Sequence, residues 1–152
     1  MSTQIIEAIR TLDFNQAEQV WKGSGNKKEI SDAVLEWSFD TESVVSYTFA
    51  QHLIAKNQDN IPILIEGHDL AIELLIHPIC HIEGAYYSAL YHTREMIRLT
   101  NHQDLGYLEY LLFLNEVPDH VVPDEEAEKT SRYILSKEPK NLIAKEWLKS
   151  RK

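Results

Sequence analysis

One cysteine, five glycines and five prolines are all that the 152 residues hold of the three types that most change what a backbone can do. Cys80, the single thiol, has no partner with which to close an intrachain bridge, so burial and hydrogen bonding must hold the fold; a reducing compartment suits it. The glycines, at 23, 25, 67, 84 and 106, are too scattered to form a phosphate-cradling loop, and no G-x-S-x-G turn is present. Long apolar runs are also missing. The most apolar stretch, Leu70 to Cys80, is broken by Glu73, His77 and Pro78 and falls short of the roughly 20 residues of a membrane span. Met1 to Arg10 alternates polar and apolar residues around Glu7 rather than placing a basic segment before an apolar one, so no secretion signal is expected and the cytoplasm is the expected compartment.

Positive charge is the last shortage. Fifteen Lys and Arg stand against 24 Asp and Glu, a formal net charge of −9 that repels nucleic acid at long range and argues against direct binding to it. The imbalance is uneven. Residues 1–76 hold five basic and twelve acidic residues, net −7, while residues 77–152 hold ten and twelve, net −2.

What is present is apolar residues, 43% of the chain, recurring at three and four rather than at two. That spacing predicts an all-α fold throughout and one domain over residues 1–152. Ile5, Ile6 and Ile9 mark a first helix; Phe14, Ala17, Val20 and Trp21 a second, stopped by Gly23-Ser24-Gly25-Asn26; Ile30, Ala33, Val34 and Trp37 a third. Asp40 is expected to cap a fourth helix carrying Val45, Phe49 and Leu53, and Asn60 a fifth with Pro62 in its first turn. A sixth is expected from Ile82 to Leu99 with Ile82, Tyr86, Ala89 and Met96 inward. A seventh over Leu105 to Asn115 is apolar nearly all round, hence enclosed. Asp124, Glu125 and Glu126 suit the positive end of an eighth helix, and a ninth around Lys140 to Lys149 ends in basic residues, with Trp147 clamping it onto Ile134 and Leu135. About nine helices with short connections imply antiparallel hairpins in a short, degenerate α-solenoid.

Few constellations suggest chemistry. His77 and His81 stand at i, i+4 with Cys80 between them, but no H-E-x-x-H pattern is completed and Pro78 interrupts the helix. His68-Asp69 with His52 upstream could begin a metal-dependent hydrolase site, yet its further acidic ligands are not identifiable. Cys80 beside a histidine lacks an organised oxyanion site. We therefore expect no catalytic residue, no metal and no cofactor. The sharper signals are on surfaces. Tyr87, Tyr91, Arg94 and Arg98 follow at four, three and four along the sixth helix, and Tyr and Arg are enriched among interface anchors; the same stripe also reads as a half-covered helix. Glu66, Asp69 and Glu73 form an acidic ridge on the fifth, which reads either as a solvated face or as a patch that attracts cations.

The segment from Glu125-Glu126-Ala127 through Ile134-Leu135 to Glu138-Pro139-Lys140-Asn141 and Ala144 resembles the second helix and following turn of a tetratricopeptide-type repeat, although no 34-residue period recurs upstream. Tyr107-Leu108-Glu109-Tyr110-Leu111-Leu112-Phe113, followed by Pro123-Asp124-Glu125-Glu126-Ala127 in a small acidic helical chain, resembles immunity proteins of bacterial polymorphic toxin and contact-dependent growth inhibition systems. Within these it looks most like the partners of EndoU-type RNase toxins, over roughly residues 82–148. The resemblance implies a cytoplasmic protein, monomeric when free, that binds one cognate basic toxin domain and blocks its active site or RNA entry. An acidic surface suits such a partner, because an RNase presents positive charge to its substrate. A helical adaptor that holds a peptide, and a metal-dependent hydrolase, remain the alternatives.

Overall fold

Apolar stripes at helical spacing, separated by side chains that satisfy the first free N–H groups of a helix, become helices one after another. A computed structural model describes residues 1–151; among these it holds nine α-helices and no strand, so the protein is all-α. The helices cluster into two compact units, Met1–Ala85 and Tyr86–Lys152, taken here in turn.

The first unit contains α1 (Ser2–Arg10), α2 (Phe14–Gly23), α3 (Lys27–Thr41), α4 (Val45–Lys56) and α5 (Ile61–Ile76). Asp13, Asn26 and Asn60 cap α2, α3 and α5, accepting from the backbone N–H of Gln16, Glu29 and Ile63. The expectation for Asp40 is corrected: it lies inside α3, which runs on to Thr41 and closes at Glu42 in a left-handed conformation, φ 54°; α4 starts after Val44 with no side-chain cap. Packing is not confined to sequence neighbours, since α1 packs on α2, α3 and α4, and α5 packs on both α4 and α3. The core gathers Ile5 and Ile9 from α1, Val20 and Trp21 from α2, and Phe49 and Leu53 from α4, with Trp21 and Phe49 edge to face at 6.1 Å.

Close approach sets how α5 sits on α4. A Cβ at Gly67 would lie 2.9 Å from Ile54 Cγ1 and 3.4 Å from Ile54 N, so the absence of a side chain there lets the two helices meet. Residues 77–84, including Pro78, form turns after α5, so α6 begins at Ala85 rather than at Ile82; Gly84 takes φ 85° just before it.

The second unit contains α6 (Ala85–Leu99, its first residue closing the first unit), α7 (Leu105–Glu116), α8 (Asp124–Lys137) and α9 (Leu142–Ser150). α7, α8 and α9 pack pairwise on one another. Leu108, Leu111, Leu112 and Leu114 of α7 are buried as expected, but Phe113 is 42% exposed and meets Tyr86 edge to face at 6.2 Å. Asp124, Glu125 and Glu126 occupy the first turn of α8, and α9 starts after Asn141 rather than at Lys140, because the Asn141 side chain accepts from Ala144 N.

A buried hydrogen-bond node holds this unit together. Asn115, 1% exposed, donates through Nδ2 to the Val122 carbonyl at 2.9 Å and to Asp124 Oδ1 at 2.8 Å. Its Oδ1 accepts from Trp147 Nε1 and from Arg151 Nη2, both at 2.8 Å, so every donor and acceptor of the amide is used. The Arg151 guanidinium also lies over the Trp147 ring, 4.5 Å from its centre. The bond from Asn115 holds the Asp124 carboxyl below its ordinary pKa, with the nearby His120 and Arg151 acting the same way. Trp147 is buried, and its polar partner lies on α7.

Two tests follow from this packing. Gly67→Ala gains helix propensity of about 1 kcal/mol but forces α4 and α5 apart at a cost of about 1–3 kcal/mol, so it should lower stability. Gly23→Ala, with nothing within 4 Å, should be neutral or stabilising. Equal midpoints for the two variants in urea titration would rule out the close α4–α5 approach. Trp147→Ala should cost about 3–5 kcal/mol and Trp147→Phe about 1–3 kcal/mol, the latter by leaving the Asn115 carbonyl short of a donor. A loss below about 1 kcal/mol for the alanine variant would mean that α9 is a loosely attached end.

Candidate functional site

The acidic residues singled out on α5 share one face, as their spacing requires, but that face is occupied. Glu66 Oε2 accepts from Trp21 Nε1 at 2.7 Å, tying α5 to the core tryptophan of α2. Asp69 and Glu73 are half-buried, and Glu73 lies 3.4 Å from His77 one turn on. All three line a groove of about 300 Å³ whose other bank carries Lys27, Lys28 and Asp32 of α3. Lys27 donates to the Trp21 carbonyl, and Lys28 pairs with Asp32. The ridge thus looks across at the protein's own lysines, and Glu66 is first a structural acceptor.

The first unit as a whole remains strongly acidic, with five basic residues against thirteen acidic ones, net −8, while the second has ten against eleven, net −1. A half-buried acid on α2 contributes to that balance. Glu18 of α2, with 14% of its side chain exposed, accepts from Asn57 Nδ2 at 2.7 Å, pairs with Lys22 at 3.0 Å and meets His52 Nε2 at 3.2 Å. Burial opposes its charged form, but the bonds from Asn57, Lys22 and His52 outweigh that opposition and hold its carboxyl below the ordinary range. This is where His52, a candidate ligand by sequence, is employed. His68 is buried in α5, while His77 and His81 are exposed in and around the turn that follows. Among the described residues no three His, Cys, Asp or Glu side chains gather as a metal site requires.

In the second unit, Tyr87 and Tyr91 of α6 are 62% and 57% exposed, one turn apart on the same face, while Ala89, His92, Thr93 and Met96 are buried on the other. The half-covered reading of this stripe therefore does not describe the two rings, which present most of their surface outward. Arg94 extends the stripe but is engaged: its guanidinium forms a two-pronged bond to Glu126 of α8 at 2.8 and 3.0 Å. Arg98 pairs with Glu95 on its own helix at 2.7 Å. Periodicity does not single out Phe113, the exposed aromatic ring on α7, because α7 is apolar nearly all round and its outward residue carries little contrast.

No helix among the described residues is long and apolar enough to cross a membrane. Comparison of the chain with protein-family models, with curated proteins and with solved structures finds no match in any of the three.

Glu18 generates a pH test. Its folded pKa lies below the ordinary value of 4.5, so its stabilising contribution is complete above that value and is lost as pH falls through the lowered folded one. The stability difference between wild type and Glu18→Gln should be roughly constant from pH 6 to 8 and shrink in the acid range. Urea titrations across pH measure it directly; a difference that is flat down to about pH 3 would mean that the carboxylate charge contributes nothing.

Proposed function

We propose that this chain is a protein-binding inhibitor of the immunity type, acting in the cytoplasm as a free monomer that captures one basic toxin domain, an RNase, and blocks its active site or RNA entry. The observation that carries the reading is the pair of outward tyrosines, Tyr87 and Tyr91, on a helix of a protein with net charge −9. Rigid amphipathic rings left in water are suited to anchor a partner, and a net negative field raises encounter rates with a cationic one. The likeness of the Tyr107–Phe113 and Pro123–Ala127 segments to immunity proteins points the same way. In this reading Tyr87 and Tyr91 are the anchors, Arg94 is held beside them by Glu126, and Asp69 and Glu73 add to the field, with Glu66 kept for its bond to Trp21.

The alternative, a helical adaptor, is favoured by one feature: α7, α8 and α9 pack as consecutive elements around the turn at Pro139-Lys140-Asn141, where Asn141 also donates to Glu109 and Glu138. Such stacks hold extended peptides between helices.

The decisive measurement is a titration of the purified protein into the basic nuclease domain of a toxin encoded beside it, following RNA cleavage and complex formation together. One-to-one inhibition is expected. Tyr87→Ala and Tyr91→Ala should each speed dissociation, worth about 1 kcal/mol or more, while Asp69→Asn with Glu73→Gln should slow association and flatten its salt dependence. Binding that ignores salt and both tyrosines defeats this surface; a preference for an extended peptide over a folded domain selects the adaptor.

A further inference from the structure

Between α6, α7 and α8 of the second unit lies a cavity of about 520 Å³, within the range of small-molecule sites. Ile97, Leu108 and Leu111 give it an apolar floor. Its rim carries Arg94, Arg98 and Lys129, each paired with one carboxylate, Glu126, Glu95 and Glu125, so cations and acids balance there. Arg94 is pre-positioned: Glu126 takes two of the five guanidinium N–H groups, and the side chain lines the cavity. Arg98 and Lys129 are tied only to Glu95 and Glu125 on their own helices, and both are largely exposed, at 64% and 76% of their side chains. Pairs of that kind are weak and yield readily to a better anion.

The turn that closes one end of the cavity adds a second observation. α6 ends with Asn101 N donating to Arg98 O and His102 N to Ile97 O, a Schellman arrangement that calls for one left-handed residue, Asn101 at φ 53°. His102, at φ 61°, is left-handed as well, which the motif does not require and which residues with a side chain avoid. The His102 ring lies edge to face with Tyr133 of α8, 6.4 Å between centres, and both line the cavity. Residues held in strained backbone conformations concentrate at ligand sites.

We propose that this cavity binds an amphipathic organic anion, with its carboxylate or phosphate monoester head on Arg94, Arg98 and Lys129 and its apolar tail on Ile97, Leu108 and Leu111. The site shares Arg94 with the toxin-binding surface, but its ligand and its test do not depend on that reading. The two head groups share the recognition chemistry of a guanidinium fork and an ammonium, so the test separates them.

Calorimetric titration of the full chain at low salt, with octanoate and with octyl phosphate as probes and octanol and acetate as controls, reads the site. Saturable one-to-one binding of at least one anion is expected, at least about tenfold tighter than octanol, the head group being named by whichever anion binds more tightly. The double variant R98A/K129A, altered only at exposed positions and checked for retained helicity by circular dichroism, should raise that Kd about tenfold or more and reduce its salt dependence. The proposal is overturned if neither anion binds, if octanol or acetate binds as well, or if the folded double variant binds like the wild type.

Discussion

A helix of nine to sixteen residues, the range found here, is marginal in water on its own, since nucleation is unfavourable and too few hydrogen bonds follow to offset it. Every element of this protein therefore depends on what it packs against, and side-chain hydrogen bonds between helices fix the positions that apolar burial leaves loose. In the first unit Trp21 is buried against Phe49 while its N–H reaches Glu66 on α5, and Glu18 joins α2 to α4 through His52 and Asn57. In the second, Asn115 joins the end of α7 to the loop at Val122, the start of α8 and the face of α9. A buried amide whose four valences are all used specifies one arrangement, because any slip of α9 along α7 strands both the indole N–H and the amide oxygen.

Local signals in the sequence disclosed the helices and several of their ends. Asn60 before Ile61-Pro62 is a cap followed by an early proline, and it caps α5 as expected. Asp40 has the same capping chemistry, yet α3 runs through it: the helix continues to Thr41 and stops at Glu42, which adopts the left-handed conformation that glycine more often supplies. Nothing in residue type alone separates those two aspartate-or-asparagine positions. The caps at Asp13, Asn26, Asp104 and Asn141 belong to the same class and become distinguishable only once the bonds to Gln16, Glu29, Gly106 and Ala144 are seen.

Of the candidate surface, the tyrosines were legible and the acids only in part, for a physical reason. Whether Tyr87 is exposed depends on which face of α6 is covered, and the buried positions Ala89 and Met96 already mark that face by helical spacing. Whether Glu66 is a free charge depends on a residue 45 positions away, Trp21, and whether Arg94 is free depends on Glu126, 32 positions on. Periodicity reports a residue's own helix and is silent on its partner's. The cavity above Ile97 is of the same kind: its lining comes from α6, α7 and α8 together, and no window of sequence contains it.

The distribution of charge bears on what any partner must be. A net charge of −8 over the first unit attracts every cationic surface, so it can quicken encounters without discriminating among them. Discrimination needs groups whose burial depends on shape, and the outward rings of Tyr87 and Tyr91 are such groups, lying in the unit whose charge is nearly balanced at −1. The proposed function thus assigns attraction and recognition to different helices, and a substitution that alters one need not disturb the other.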